Sequence, residues 1–152
     1  MGWFNNMAQT TLIIARHGNT FESHQTPTRV GGRTDLPLVA SGITQAKNLG
    51  AAWLAQKIVP HVVFASGLQR TQQTANYALQ QMGQSLPVQV DTMFNEIDYG
   101  PDENQPEAQV IGRLGQQALD DWDAKALVPN GWLLNPLEKI EQWQNLAHNI
   151  VS

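Results

Sequence analysis

Short apolar runs alternate along the chain with segments in which apolar residues recur at helical spacing. Three runs rich in β-branched residues are predicted as strands: residues 11–15, 62–65 and 88–90. The first two are apolar at nearly every position, which is typical of a strand covered on both faces. Helical spacing predicts four helices. The first follows Ser41 as N-cap and ends at about Ile58, and the second runs from the end of the second apolar run to Met82. The third runs from about Glu107 to Trp122, and the fourth has Asn135 as cap and Pro136 at its first position and ends at about Asn149.

Strands that alternate with helices indicate a mostly parallel sheet, because parallel strands need crossover connections that run back over the sheet. We therefore predict an α/β fold, specifically a three-layer α/β/α sandwich. The glycine-, proline- and polar-rich segments 19–41 and 95–106 are predicted as surface loops. Residues 1–9 are interpreted as a loose lead-in, and the 152 residues are expected to form a single domain.

Composition narrows the range of partners. The formal net charge is −4, whereas nucleic-acid binding relies on clustered lysine and arginine, so a nucleic-acid partner is not expected. The absence of cysteine excludes disulfides, thiolate metal sites and cysteine nucleophiles. No run approaches the ~20 apolar residues that span a bilayer, and the start does not resemble a signal peptide. We therefore expect no membrane partner and a cytoplasmic location.

Polar groups with chemical potential follow each predicted strand. Arg16 and His17 follow the first strand, residues 66–70 the second, and residues 95–98 the third. The carboxyl ends of parallel strands meet at one edge of the sheet, and ligands of α/β proteins bind at that edge. A histidine beside two arginines and a carboxylate suits phosphoryl transfer, in which positioning and charge stabilisation supply most of the catalysis.

Each of these groups has a candidate task. A neutral imidazole can attack phosphorus and form a phosphohistidine, so His17 is the candidate nucleophile. Arg16 and Arg70 are candidates for gripping the phosphoryl oxygens, because a guanidinium is planar and always charged. Glu96 is the candidate for protonating the leaving alkoxide and then activating water, with Asp98 in reserve. Taken singly, each residue has a commoner structural or solvated role.

The remaining histidines and two tryptophans receive other interpretations. No pairing among the four histidines has a helical metal-ligand spacing, so no metal and no cofactor is expected. His24, His61 and His148 are interpreted as structural or surface groups. Trp3 and Trp132 are candidates for a partner surface, while the oligomeric state stays open.

Four segments, in order along the chain, carry recurrent motifs. Residues 16–20 read RHGNT and match R-H-G-[EN]-T, directly after an apolar run. Residues 32–46 match G-R-x-D-x-P-L-T-x-x-G-x-x-Q-A, with Val39 in place of threonine. Residues 65–75 match S-x-L-x-R-[AT]-x-x-T-A, and residues 95–100 match L-x-E-x-x-x-G in part. By these motifs the chain resembles the histidine phosphatase superfamily, whose fold is phosphoglycerate-mutase-like.

This resemblance implies roles for individual residues. His17 would be the phospho-acceptor, Arg16 and Arg70 the phosphate clamp, and Glu96 the proton donor. Asn19 would line the substrate pocket. The resemblance thus implies a phosphohistidine mechanism at the site that the strand ends already indicate.

The chain departs from the family pattern in two places. Residues 101–135 lack the usual tryptophan-glutamate-glycine segment, and this stretch is expected to govern the substrate. Family members also close the pocket with a second histidine, in a V-[ST]-H-G-type segment leaving the next strand. Residues 150–152 are interpreted as the beginning of that strand, so the domain is expected to lack its C-terminal strand and helix.

The predicted function is a metal-independent phosphatase acting on a small phosphomonoester through a phosphohistidine. The expected partner is accordingly a small phosphorylated substrate or phosphate. Two alternatives remain: a phospholigand-binding module of the same fold that has lost turnover, and, less favoured, a phosphoglycerate-type mutase. The identity of the substrate is left open.

Overall fold

A computed structural model describes residues 9–134 and 136–151. Within them the chain forms five α-helices and two β-strands, joined by irregular loops and two short 3-10 turns. The helices are α1 (Ala40–Ala55), α2 (Gln69–Gln81), α3 (Glu107–Leu114), α4 (Gln116–Lys125) and α5 (Pro136–Val151), and the strands are β1 (Val63–Ala65) and β2 (Val88–Val90).

The two strands lie side by side and run parallel. Val63 pairs with Val88 and Ala65 with Val90, and α2 makes the crossover between the strands. The backbone N–H of Asp91 donates to the carbonyl of Ala65 at 2.9 Å, which continues the pairing to the carboxyl end of β1. The second and third predicted strands and the parallel α/β arrangement are therefore confirmed.

The strand predicted at residues 11–15 is wrong, because the structure assigns no strand there. Leu12 is 65% exposed and Ile14 is 84% exposed, although both side chains are strongly apolar. A strand needs a neighbour that pairs with its N–H and C=O groups. Among the described residues no strand pairs with this run.

Helix α1 begins two residues earlier than predicted, and it lacks the predicted cap. Val39 stands at the N-cap without a side-chain hydrogen bond, and Ser41 lies inside the helix. The helix ends at Ala55, short of the predicted limit at about Ile58.

The predicted helix from Glu107 to Trp122 is two helices, because Gly115 interrupts it. Gly115 has φ +82°, a left-handed conformation that glycine adopts without a steric cost, and α4 starts at the next residue. The two helices contribute Val110 and Leu119 to one buried cluster with Trp132.

The interpretation of Trp132 as a partner surface is wrong, since this side chain is 5% exposed. Its indole N–H donates to the buried Asp102 carboxylate at 2.7 Å, and Asp102 also pairs with Arg113. Trp3 lies outside the described residues.

Helix α5 begins at Pro136 as predicted, while its predicted cap Asn135 lies outside the described residues. The helix includes Ile150 and Val151, so the interpretation of these two residues as the start of a strand is wrong. Ser152 lies outside the described residues, as do residues 1–8 of the predicted lead-in. Among the residues that the structure describes, no helix combines the length and the apolarity needed to cross a bilayer.

Helix α1 packs closely against two other parts of the molecule through residues that have little or no side chain. Gly42, Ala46 and Gly50 are buried along one face of α1. A Cβ on Gly50 would overlap the Ala78 carbonyl in α2, and a Cβ on Gly42 would overlap the backbone of Asn19. The helix therefore lies against both α2 and the loop that follows His17.

Candidate active site

His17 is half-buried, and both of its ring nitrogens have partners. Nδ1 lies 2.7 Å from the carbonyl oxygen of Gly18, which can only accept a hydrogen bond. Nε2 lies 3.2 Å from Arg70 Nε, whose N–H can only donate. These two contacts together assign the proton to Nδ1 and leave the lone pair on Nε2.

Burial lowers the pKa of His17 from its ordinary value of 6.5. The hydrogen bond to Gly18 opposes this shift, while the positive charges of Arg70 and Arg16 add to it. The imidazole is therefore neutral at physiological pH, and a neutral ring is the form that can act as a nucleophile.

Arg70 lies in the first turn of α2, and it is 1% exposed. Its Nη1 donates to the Thr34 carbonyl at 2.8 Å and its Nη2 to the Gly31 carbonyl at 3.4 Å. Burial lowers the pKa of Arg70, and the negative charge of Glu96 is the largest effect that opposes this. A guanidinium has five N–H groups, so two remain for an anion after these contacts and the one to His17.

The turn from β1 into α2 places Arg70 at the carboxyl end of the sheet. The Ser66 hydroxyl is 2.6 Å from the Thr71 hydroxyl and accepts from the Leu68 N–H at 3.2 Å. The Asn95 side chain accepts from the Gly67 N–H at 2.8 Å, which joins this turn to the segment after β2. The predicted convergence of the second and third strand ends is therefore present.

The loop after His17 is fixed to α1 and α2. The Gly18 N–H donates to the Thr74 hydroxyl of α2 at 3.1 Å. The Asn19 N–H donates to Gln45 of α1 at 2.8 Å, and the Asn19 amide donates to Ser41 at 3.4 Å. Asn19 thus lies two residues after His17, with its side chain hydrogen-bonded to the first turn of α1.

The three other predicted site residues differ in their contacts. Glu96 is exposed, and its charge acts on both His17 and Arg70, which places the carboxylate at the rim of the site. Arg16 is exposed, its charge acts on His17, and it makes no hydrogen bond within the described residues. Asp98 pairs instead with Arg33 at 2.8 Å. Glu96 is therefore better placed than the reserve, Asp98.

The turn formed by residues 31–34, which carries the carbonyls that hold Arg70, was missed by the sequence analysis. So was Glu103, whose carboxylate accepts hydrogen bonds from this turn. The sequence showed only an acidic residue among turn formers, which is equally common in solvated loops. In the part of the chain that the structure describes, no three acidic or histidine side chains form a group that could hold a metal ion.

Comparisons with known proteins agree with these features. The model of the histidine phosphatase superfamily (branch 1) matches residues 12–151. A 2,3-bisphosphoglycerate-dependent phosphoglycerate mutase from Bartonella quintana is 37% identical over 131 residues, which cover 80% of this chain and 59% of that protein. Other curated relatives bear the same name, and the chain spans about half of their length, for example 47% of the protein from Clavibacter michiganensis.

Solved structures share the fold. The mycobacterial glucosyl-3-phosphoglycerate phosphatase in complex with inorganic phosphate superposes with a TM-score of 0.67 at 26% identity, covering 89% of this chain and 59% of that chain. The α-ribazole phosphatase from Shigella flexneri gives a TM-score of 0.66 at 24% identity, covering 88% and 65% respectively. The predicted α/β, phosphoglycerate-mutase-like fold is confirmed.

Proposed function

Because the chain belongs to the histidine phosphatase superfamily, we propose that it hydrolyses a small phosphomonoester through a phosphohistidine at His17, without a metal ion. In the first step the Arg70 Nε–H turns from His17 Nε2 to a phosphoryl oxygen, and the freed Nε2 lone pair attacks phosphorus, so that an N–P bond forms while the ester P–O bond breaks. The leaving alkoxide takes a proton from the Glu96 carboxyl group. Arg70 and Arg16 offset the negative charge on the phosphoryl oxygens.

In the second step Glu96, now ionised, removes a proton from a water molecule. The water oxygen bonds to phosphorus while the N–P bond breaks, which releases phosphate and restores neutral His17. Throughout both steps the Gly18 carbonyl accepts from Nδ1, and this contact stabilises the positive charge that the ring carries while it is phosphorylated.

One observation carries this proposal: the lone pair of His17 Nε2 lies 3.2 Å from the side chain of a buried arginine. A buried charge needs an energetic justification, because its desolvation costs several kcal/mol or more in the absence of partners. A site that binds and transfers phosphoryl groups supplies one. The positive charges of Arg16 and Arg70 also favour an anion over a divalent cation, in keeping with a small phosphorylated substrate or phosphate as the partner.

A mutase is the second candidate, favoured by the names of the curated relatives. In that reaction the phosphoryl group of His17 would pass to the hydroxyl group of a second phosphorylated molecule rather than to water. Both candidates share the first step. They differ in the acceptor of the phosphoryl group, so product analysis separates them.

The test uses 4-nitrophenyl phosphate and the full chain. We expect turnover and an acid-labile, base-stable phosphate on the protein, both lost in His17→Ala. His24→Ala is the matched control, because His24 is an exposed histidine in the following loop, and we expect it to keep both properties. Turnover that survives in His17→Ala would overturn the nucleophile assignment.

Two further readouts decide between the candidates. Protein that carries the covalent phosphate is mixed with 3-phosphoglycerate. It should release inorganic phosphate if the chain is a phosphatase, and a bisphosphorylated product if the chain is a mutase. If neither turnover nor labelling occurs while phosphate still raises the melting temperature, the chain is a phospholigand-binding module. The structural neighbours are named as phosphatases of glucosyl-3-phosphoglycerate and of α-ribazole phosphate, so we would include both compounds in the first set of substrates tested.

A further inference from the structure

The Glu103 carboxylate is the centre of a hydrogen-bond network next to the candidate active site. Its Oε1 accepts from the Gly31 N–H at 3.1 Å, the Arg33 N–H at 3.0 Å and the Thr34 hydroxyl at 2.7 Å. Its Oε2 accepts from the Tyr99 N–H at 3.0 Å. One carboxylate thereby joins the turn formed by residues 31–34 to the segment after β2.

Arg70 binds the opposite side of the same turn. The carbonyls of Gly31 and Thr34 accept from its two Nη atoms, and the Thr34 N–H closes the turn on the Gly31 carbonyl at 3.3 Å. The turn therefore has a negative group at its N–H side and a positive group at its C=O side. Each charge polarises the peptide groups in the sense that strengthens the hydrogen bonds of the other.

Close packing fixes the turn between these two charges. A Cβ on Gly31 would overlap Glu103 Oε2 and the carbonyl of Ile97, and a Cβ on Gly32 would overlap the carbonyl of Glu96. The Gly32 N–H also donates to the Ile97 carbonyl at 2.8 Å. The turn is thus held against the segment that carries Glu96.

We propose that Glu103 is a positioning residue: it fixes the turn whose carbonyls orient Arg70, so that the Arg70 Nε–H points at His17 Nε2 and two further N–H groups are available to the phosphoryl group. This role deepens the proposed function and rests on it. Glu103 makes no hydrogen bond to His17 or Arg70, although its negative charge also acts on Arg70 through space. Thr34→Val keeps that charge, so this variant isolates the effect that passes through the turn formed by residues 31–34.

Glu103→Gln tests the role with little change in shape. A glutamine has one acceptor oxygen where glutamate has two, so either Tyr99 or the turn would face an amide N–H₂ group instead of an acceptor. Glu107→Gln is the matched control, because it makes the same chemical change four residues later, where the Glu107 side chain is 54% exposed and pairs with Arg29. Thr34→Val is a milder variant, since it removes only the hydroxyl donor to Glu103.

The first readout is the affinity for orthovanadate, measured by calorimetry on the full chain. We expect about tenfold weaker binding in Glu103→Gln, the loss of one charge-assisted hydrogen bond, and about threefold in Thr34→Val. Glu107→Gln should match the wild type. The second readout is the ¹⁵N spectrum of the His17 ring and of Arg70 Nε, which should change in Glu103→Gln and Thr34→Val but not in Glu107→Gln.

The two readouts separate the two proposals. Unchanged ring and guanidinium signals together with unchanged vanadate affinity in Glu103→Gln would overturn the positioning role while leaving the proposed function intact. Absence of labelling and turnover in the wild type would overturn the proposed function, whereas the ¹⁵N comparison would still decide the role of Glu103. If Glu103→Gln does not fold, Thr34→Val decides by the same criteria.

Discussion

The run at residues 11–15 and the loops around His17 are adjacent in sequence, yet they are held in opposite ways. The run is apolar, forms no strand, and has side chains that are 44% to 84% exposed at residues 12–14. The segments around His17 are rich in polar groups, and charged or hydroxyl side chains are buried there: Thr34 and Ser66 in loops, and Arg70 and Thr74 in α2. In this part of the molecule, order comes from side-chain hydrogen bonds to backbone rather than from apolar burial.

The difference shows what each kind of sequence requires. An apolar run needs a neighbouring surface to cover it, and the described residues provide no strand that pairs with it. A polar loop needs partners for its own donors and acceptors, and the loops here find them in one another and in α1 and α2. A network of side-chain hydrogen bonds therefore orders the site, and single substitutions can remove these hydrogen bonds one at a time.

Arg70→Ala should have the largest effect, because Arg70 is the only charged side chain among the described residues that hydrogen-bonds to both His17 and the turn at residues 31–34. We expect a loss of about a thousandfold in turnover of 4-nitrophenyl phosphate, comparable to the loss of a charge-stabilising group in other enzymes. The rise in melting temperature with phosphate should disappear as well. Arg33→Ala, whose guanidinium is exposed and paired with Asp98, is the control, and an equal loss in that variant would mean that general charge explains the effect.

Gly42→Ala should have the next largest effect, through backbone overlap with Asn19. We expect the free energy of unfolding in urea to fall by about 1–3 kcal/mol, as overpacking does elsewhere. Gly112→Ala has the opposite expectation, because Gly112 lies in α3 with open space around it, and alanine there should stabilise by about 0.5–1 kcal/mol. A Gly42→Ala variant that is as stable as the wild type, or more stable, would contradict the close contact between α1 and the His17 loop.

The pH dependence of phosphohistidine formation should follow the lowered pKa of His17. The protonated ring is inactive as a nucleophile and forms only below the lowered value, so the labelling rate should hold as the pH falls through 6.5 and decline at lower pH. Arg16→Met removes one positive charge, which should raise the pKa of His17 and move the decline to higher pH. An NMR titration measures the pKa of the His17 ring in the wild type and in Arg16→Met. An unchanged titration curve in Arg16→Met would place Arg16 away from the ring.

Leu12→Thr and Ile14→Thr should have the smallest effect. Both side chains are mostly exposed, so we expect the free energy of unfolding to change by no more than about 0.5 kcal/mol in either variant. Leu119→Ala, in the buried cluster with Val110 and Trp132, should cost about 2–5 kcal/mol in the same urea experiment. A large loss in the first two variants would show that a surface covers the run in solution.

Much of the site could be predicted, because its main residues are tied to strand ends and to motif spacing. Arg70 and Glu96 follow the carboxyl ends of β1 and β2, whereas His17 follows no strand and meets Arg70 at 3.2 Å. The contribution of Glu103 could not be predicted, since three of its four hydrogen-bond donors lie about seventy residues away along the chain, and two of these three are backbone N–H groups. Such contacts leave no trace in periodicity or propensity.

The fold was predictable in class but not in every element. Apolar periodicity reports which residues can be buried, not whether a partner strand is present, and this explains the error at residues 11–15. Gly115 sits within an otherwise continuous helical pattern, and only its backbone conformation reveals that it separates α3 from α4.

The bare face of α1 has a consequence for motion. Through Gly42 this helix contacts the segment that bears His17, and through Gly50 it contacts α2, which bears Arg70. Both His17 and Arg70 are therefore attached to the same helix by close backbone contacts. We expect a displacement of α1 to carry the two side chains together and to change the distance between them little.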